Sequence, residues 1–175
     1  LDKEYIISVS ESGLSLSLED GYCHVTSKPG SYSNDDLRVN FTFTDISLTE
    51  LRYVKFRYRT DSVSKRIDTT IRTAKKESWP STHPVPNNDG NWHEQIVDIF
   101  DMTGGGGVPP VGECGIQFVL KPFGASNVTL TKDHYFDIEY IACFPTKEEA
   151  ESYIYNKEDD TYTNEGAMYE GAVLE

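Results

Sequence analysis

Trp79 stands in a polar loop, Lys75 to Asn91, without hydrophobic neighbours, and Pro80 after it restrains it in extended backbone. A ring presented that way on a loop offers a flat apolar platform. Tyr32, in the loop Pro29 to Asp36, offers a second platform if the two loops meet at one end of the fold. Asn34, Asp36, His83 and Asn87 lie in the same loops and can exchange hydrogen bonds with hydroxyls. Such a set suits a sugar ring, which has C–H faces and a rim of hydroxyls. The opposite reading is a Trp79 folded back to plug the end of the core, and a Tyr32 that packs its own loop.

A second set is cationic. Arg57 and Arg59 alternate with Phe56 and Tyr58, so they share one face of a strand. Arg72 has matching parity with Asp68 and Thr70 on the next strand-like run, and Gln117 and Lys121 match on a later one. On one sheet these residues would form a cationic, amide-bearing stripe. Arginine forks fit carboxylates, which brings uronic-acid-containing or otherwise anionic glycans into consideration. Cross-strand pairing with Asp and Glu would instead give the arginines a structural use.

Catalytic constellations do not emerge. GxSxG and HExxH are absent, and Gly104-Gly105-Gly106-Gly107 follows Asp101-Met102-Thr103 rather than joining a strand to a helix. That run reads as a flexible connection ahead of Pro109-Pro110. His24, His83, His93 and His134 fall on separate elements, and most carboxylates sit in turns or near the C-terminus. A glycosidase needs two acids facing each other across a cleft, which a chain this short rarely supplies. No enzyme is expected. Cys23, Cys114 and Cys143 are widely spaced without a CxxC pattern, so zinc is not expected. Cys23 and Cys143 lie in apolar strands and read as buried thiols, with one disulfide among the three as the alternative.

The elements that must position these residues are almost all strands. Tyr5 to Val9 opens the chain, and Leu14, Leu16 and Leu18 alternate with Ser15 and Ser17 up to a turn at Glu19-Asp20-Gly21. Residues 14 to 27 therefore read as a hairpin. Strand-like runs follow at Leu37 to Phe43, Leu51 to Thr60, Ile67 to Thr73, Trp92 to Ile99, Ile116 to Leu120 and Tyr135 to Phe144. The run Ile67 to Thr73 reads as the hairpin partner of Leu51 to Thr60. After Pro145, Thr146 with Glu149 three residues on makes a capping box and opens one short helix. The whole predicts an all-β, two-sheet antiparallel β-sandwich of jelly-roll type with one short C-terminal helix and an irregular acidic tail. Residues 1–155 form the sandwich module and 156–175 an acidic linker or tail.

The 175 residues carry 16 basic and 29 acidic side chains, a formal charge of -13. Phosphate backbones and anionic membranes attract basic surfaces, so neither nucleic acid nor a membrane is an expected partner. No stretch has the length and apolarity of a membrane helix. The chain opens at Leu1 without methionine and reads as a module of a longer protein.

Three stretches carry a family resemblance. They are Gly21-Tyr22-Cys23-His24-Val25-Thr26, the pair Tyr53-Val54-Lys55-Phe56-Arg57-Tyr58-Arg59-Thr60 and Asp89-Gly90-Asn91-Trp92-His93-Glu94-Gln95-Ile96-Val97-Asp98-Ile99, and the closing His134 to Tyr153. In order and spacing, over roughly residues 5 to 153, they resemble the β-sandwich carbohydrate-binding-like modules of large surface or secreted proteins of anaerobic, clostridial-type bacteria. Those modules have a YVKIKYRT-like strand, then DGxWHxxxVDL, and a final DIxYIAFF-like strand before a short acidic helix. The resemblance implies a non-catalytic polysaccharide-binding role at an extracellular or cell-surface location, beside neighbouring modules of the same chain. It implies a structural part for Trp92. It also implies a structural calcium between the first hairpin and the last strand, with Asp137 the favoured ligand and Glu11, Asp20 and Glu139 as further oxygen donors.

The expected glycan contacts are thus Trp79 and Tyr32 as platforms, with Arg57, Arg59, Arg72 and His83 as polar partners. The polymer would be a plant or cell-wall polysaccharide. The alternative is a structural or protein-interaction module of the same fold without sugar affinity.

Overall fold

The computed structural model describes residues 5–10, 13–19, 21–31, 37–43, 47–61, 64, 66–74, 76–107, 116–123, 129–155 and 172–174. Tyr32, Glu11, Asp20 and Cys114 lie outside the described residues. In chain order the strands are β1 (Tyr5–Val9), β2 (Leu14–Glu19), β3 (Tyr22–Ser27), β4 (Val39–Phe43), β5 (Tyr53–Thr60), β6 (Asp68–Arg72), β7 (Glu77–Ser78), β8 (His93–Asp98), β9 (Ile116–Lys121), β10 (Tyr135–Phe144) and β11 (Ala172–Leu174). A 3-10 turn, Ile99–Asp101, follows β8, and helix α1 (Lys147–Ser152) follows β10.

The strands form two sheets, ordered β11-β1-β4-β9-β6-β7 and β2-β3-β10-β5-β8. Every adjacent pair is antiparallel except β1 with β11, which runs parallel along the outer edge of the first sheet. That last strand falls within the stretch expected as acidic tail. The all-β sandwich and its single short helix are as the sequence predicts, and so is the β2–β3 hairpin, where Gly21 turns the chain at φ 84°.

Period-two alternation builds the core. Val54, Phe56 and Tyr58 of β5 point inward beside Phe136 and Ile138 of β10, and Phe41, Ile71, Phe118 and Leu120 face them from the other sheet. The Phe56 and Phe118 rings lie 6.4 Å apart and tie the sheets together. Tyr58 stacks on Phe136 at 5.1 Å, and its buried hydroxyl accepts the Asn87 N–H from the loop between β7 and β8. Full burial of each such ring stabilises the fold by roughly 1.5–3 kcal/mol.

One pairing differs from the sequence reading. β6 does not pair with β5 but lies in the opposite sheet between β9 and β7, while β5 sits between β10 and β8. Alternation gives each strand an apolar face without naming the sheet it joins. The inward residues of β6, Thr69 and Ile71, are in register with Leu120 and Phe118, so β6 contributes to the core from the far side.

Helix α1 carries the expected capping box. Thr146 accepts from the Glu149 N–H, and Glu149 accepts from the Thr146 N–H and hydroxyl. Ala150, buried, docks it on the sandwich. The chain then crosses the five-stranded sheet, where Tyr155 stacks on Tyr140 at 4.7 Å and the Tyr153 carbonyl accepts from Lys55 Nζ at 2.8 Å.

Cys23 and Cys143 are free, buried thiols on the inner face of this sheet. Burial pushes both well above the ordinary thiol range. In a Cys114→Ser background, neither should react with iodoacetamide at pH 8 in the native protein, and both should react in denaturant. Native labelling of either, followed by mass spectrometry, would contradict this burial.

Candidate functional site

The outer face of the five-stranded sheet carries a file of polar side chains across three strands. His24 of β3 lies opposite Asp137 of β10, which lies opposite Arg59 of β5. Side-chain bonds follow that register. His24 Nδ1 is 2.5 Å from Asp137 Oδ1, and Arg59 Nε donates to Asp137 Oδ2 at 2.6 Å. Burial opposes the Arg59 charge, but the bond to Asp137 and its nearness more than offset this, holding the guanidinium above the ordinary arginine value.

Aromatic rings surround the file. The Arg59 guanidinium lies 4.9 Å from the Tyr22 ring centre and 4.8 Å from that of Trp92, so it joins the two rings through cation–π contacts. Tyr22 and Trp92 meet edge to face at 5.9 Å. Tyr135 stacks with His24 at 6.3 Å on the other side. Tyr22, His24, Trp92 and Tyr135 are each only partly buried, so the cluster faces solvent. One row along, Arg57 Nη1 donates to Glu139 at 2.6 Å and its guanidinium lies 5.6 Å from Trp92. A bulge between Ile138 and Tyr140 breaks the β5–β10 register there, and Glu139 falls within it.

The cations of this face are paired. Arg57 meets Glu139, Arg59 meets Asp137, Lys55 meets Glu94 at 3.1 Å, and Arg52 meets Asp98 at 3.3 Å. For Glu94, burial favours the neutral form, but hydrogen bonds from Tyr140 and Lys55 win and lower its pKa. The surface is therefore aromatic and hydrogen-bonding with its charges locally balanced. It is not a cationic stripe.

The expected site residues fall in separate places. Arg57 and Arg59 belong to this face. Arg72 is on the other sheet, opposite Gln117, and its Nη2 lies 3.2 Å from both oxygens of Glu77. The stripe expected from strand parity is thus divided between the two outer faces, because β6 changed sheets. His83 is partly buried in the loop after β7, with Nδ1 3.2 Å from Asp68, which also holds Arg66 at 2.6 Å. Trp79, 45% exposed, lies over the glycine-rich loop, where the backbone of Gly104 donates to the Trp79 carbonyl at 2.9 Å.

That loop requires its glycines. A Cβ on Gly104 would come within 2.3 Å of the Trp79 ring, and one on Gly105, at φ +67°, within 2.6 Å of the Glu77 carbonyl. Gly105→Ala should cost about 1–3 kcal/mol and shift Trp79 fluorescence, read in a Trp92→Phe background. An unchanged melt and spectrum would mean that Trp79 does not rest on this loop.

Asp137, the expected calcium ligand, has both carboxylate oxygens engaged within the sheet. It is 1% exposed, and its two oxygens face an imidazole and a guanidinium rather than a cation. Calcium takes six to eight oxygen donors. Among the described residues no group of three or more His, Cys, Asp or Glu side chains is arranged to hold a metal.

Tyr22, His24 and Tyr135 are the residues of this candidate site that the sequence reading missed, and Trp92 was assigned mainly a structural part. The signal available was parity. Tyr22 and His24 alternate with the buried Cys23 and Val25, so both had to face outward.

No protein-family model and no curated protein matches the chain. Among solved structures it is similar to a CBM4 carbohydrate-binding module at 12% identity, over 82% of this chain and 88% of that one, with a TM-score of 0.50. The sandwich has the fold of carbohydrate-binding modules. Lower similarity extends to the N-terminal cellulose-binding domain of Cellulomonas fimi β-1,4-glucanase C (12% identity, 80% and 88% covered, TM-score 0.43). It extends also to TmCBM61, solved with β-1,4-galactotriose (12% identity, 79% and 88% covered, TM-score 0.39). At this identity the likeness concerns architecture.

Proposed function

We propose that this chain is a non-catalytic carbohydrate-binding module, and that the outer face of the five-stranded sheet is its glycan site. The observation that carries the reading is the partly exposed pair Tyr22 and Trp92 over Arg57 and Arg59, with His24 and Tyr135 stacked beside them. Partly exposed aromatic rings beside fixed hydrogen-bonding groups match the C–H faces and hydroxyl rims of a sugar chain. A sheet face is an extended platform, which suits a polymer better than a single small ligand.

Charge balance supports a neutral polysaccharide over an anionic one. Arg57 and Arg59 each already hold a carboxylate, so a uronate would have to displace Glu139 or Asp137. The same pairing argues for a binding rather than a hydrolytic role, since an acid held by an arginine is a poor proton donor. Within a longer extracellular chain, such a module raises the local concentration of its neighbours at the polymer.

The test is affinity electrophoresis through gels containing soluble cellulose derivative, xylan, galactan or polygalacturonate. Retardation on a neutral polymer, with little on polygalacturonate, is the expected result. Free migration on all four would favour a structural or protein-interaction module.

A further inference from the structure

We propose that the cleft along the open side of the sandwich, between the edge strand β8 and the loop 80–84, is a second sugar site that takes a neutral ring at a chain end or branch, with Trp79 at its mouth. The inference rests on the glycan reading above but not on the sheet-face site.

The cleft has a volume of about 570 Å³, within the roughly 300–1,000 Å³ of small-ligand sites. β8 ends one sheet, and the loop after β7 crosses from the other. The hydroxyl-bearing residues Ser81, Thr82 and Thr103 line it with Gln95, while Pro80, Pro84, Ile96 and Val97 supply apolar wall. Hydroxyl and amide groups between short apolar patches suit a polyol. A purely hydrophobic ligand would leave them unpaired.

Two further observations point to a ligand there. Thr69, at the inner wall and 0% exposed, has a hydroxyl with no hydrogen-bond partner among the described residues. A valine would fill the same space without an unmet hydrogen bond, and a sugar hydroxyl reaching the inner wall would supply the missing partner. Trp79 is also 45% exposed, and its chain neighbour Pro80 lines the cleft. Its ring rests on Gly104, the chain neighbour of Thr103, which lines the cleft too. The ring rests on glycines that cannot push it away, one residue along the chain from two lining residues.

Charge selects the sugar class. No lysine or arginine is among the described lining residues, whereas Asp98 and Asp101 are, and Asp98 already holds Arg52. Uronate, sulfate and phosphate groups would meet acids there, so the ring admitted is neutral.

The experiment is a ¹⁵N NMR titration of the whole chain with neutral β-1,4-linked gluco-, xylo- and galacto-pentaoses, and with a galacturonate oligomer. Two groups of shifting amides with separate saturation are expected, one on β3, β5 and β10 and one over residues 79–84 and 101–103. Trp79→Ala should weaken the second group about tenfold and leave the first unchanged. Thr69→Val should keep or raise the melting temperature while weakening the second group about fivefold. That combination separates ligand contact from a folding effect.

Shifts confined to the sheet face, or a cleft response indifferent to both variants, would overturn the second site and leave the first. Shifts confined to the cleft would support it and remove the sheet-face site. Stronger cleft binding of the galacturonate oligomer would overturn the neutral-sugar assignment. No shift with any oligosaccharide would overturn both sites together.

Discussion

Trp92→Ala is expected to lose retardation by the neutral polymer that retards the wild type, through at least a tenfold loss of affinity, about 1.4 kcal/mol. The expectation follows from geometry on one sheet face. Trp92 contacts Arg57, Arg59 and the edge of Tyr22, so removing it takes away a ring and loosens the others. Aromatic anchors of this kind dominate many binding surfaces. Because Trp92 is partly buried, a melting curve must show that the variant folds. Tyr22→Ala gives an independent reading of the same surface, with Arg59 still held by Asp137. Near-wild-type affinity in both folded variants would remove the face as the glycan site.

Arg59→Met should destabilise the fold by about 2–4 kcal/mol in urea unfolding. Asp137 is almost fully buried, and its carboxylate faces only Arg59 and His24 in the described contacts. Removing the guanidinium leaves a buried anion with the imidazole as its remaining close partner. The figure lies below the full cost of breaking a buried pair because the Arg59 side chain keeps 32% exposure, where water screens the charge. Asp137→Asn placed on top of Arg59→Met should recover part of the loss, since it removes the stranded charge. A change under about 0.5 kcal/mol in Arg59→Met would put the pair among ordinary surface ion pairs. Asp137 would then not be the anchor of the polar file.

Much of the local structure was legible because it depends on near neighbours in sequence. The Thr146–Glu149 capping box, the Leu14 to Ser27 hairpin and the inward parity of Val54, Phe56 and Tyr58 each involve residues a few positions apart. The same parity placed Arg57 and Arg59 on an outer face, where they are.

The candidate site was less legible, because its members are joined only across strands. Tyr22 and Trp92 are far apart in sequence, on opposite sides of β5, and Arg59 brings their rings together at contact distance. Trp79 and His83 were read as part of one site with Arg57 and Arg59, yet they belong to the loop on the open side of the fold. Asp137 was read as an oxygen donor for a cation, and its strand neighbours prove to be a cation and an imidazole already bonded to it.

By itself, then, the sequence determined that this protein is an all-β sandwich with a short capped helix and which side of each long strand is apolar. Beyond the β2–β3 hairpin, only the tertiary structure decided which strands are neighbours. That choice sent Arg72 to one outer face and Arg57 and Arg59 to the other. Alternation is a property of one strand, whereas register is a property of two. A site built across three strands and the approach to a fourth exists only once the sheet has been ordered.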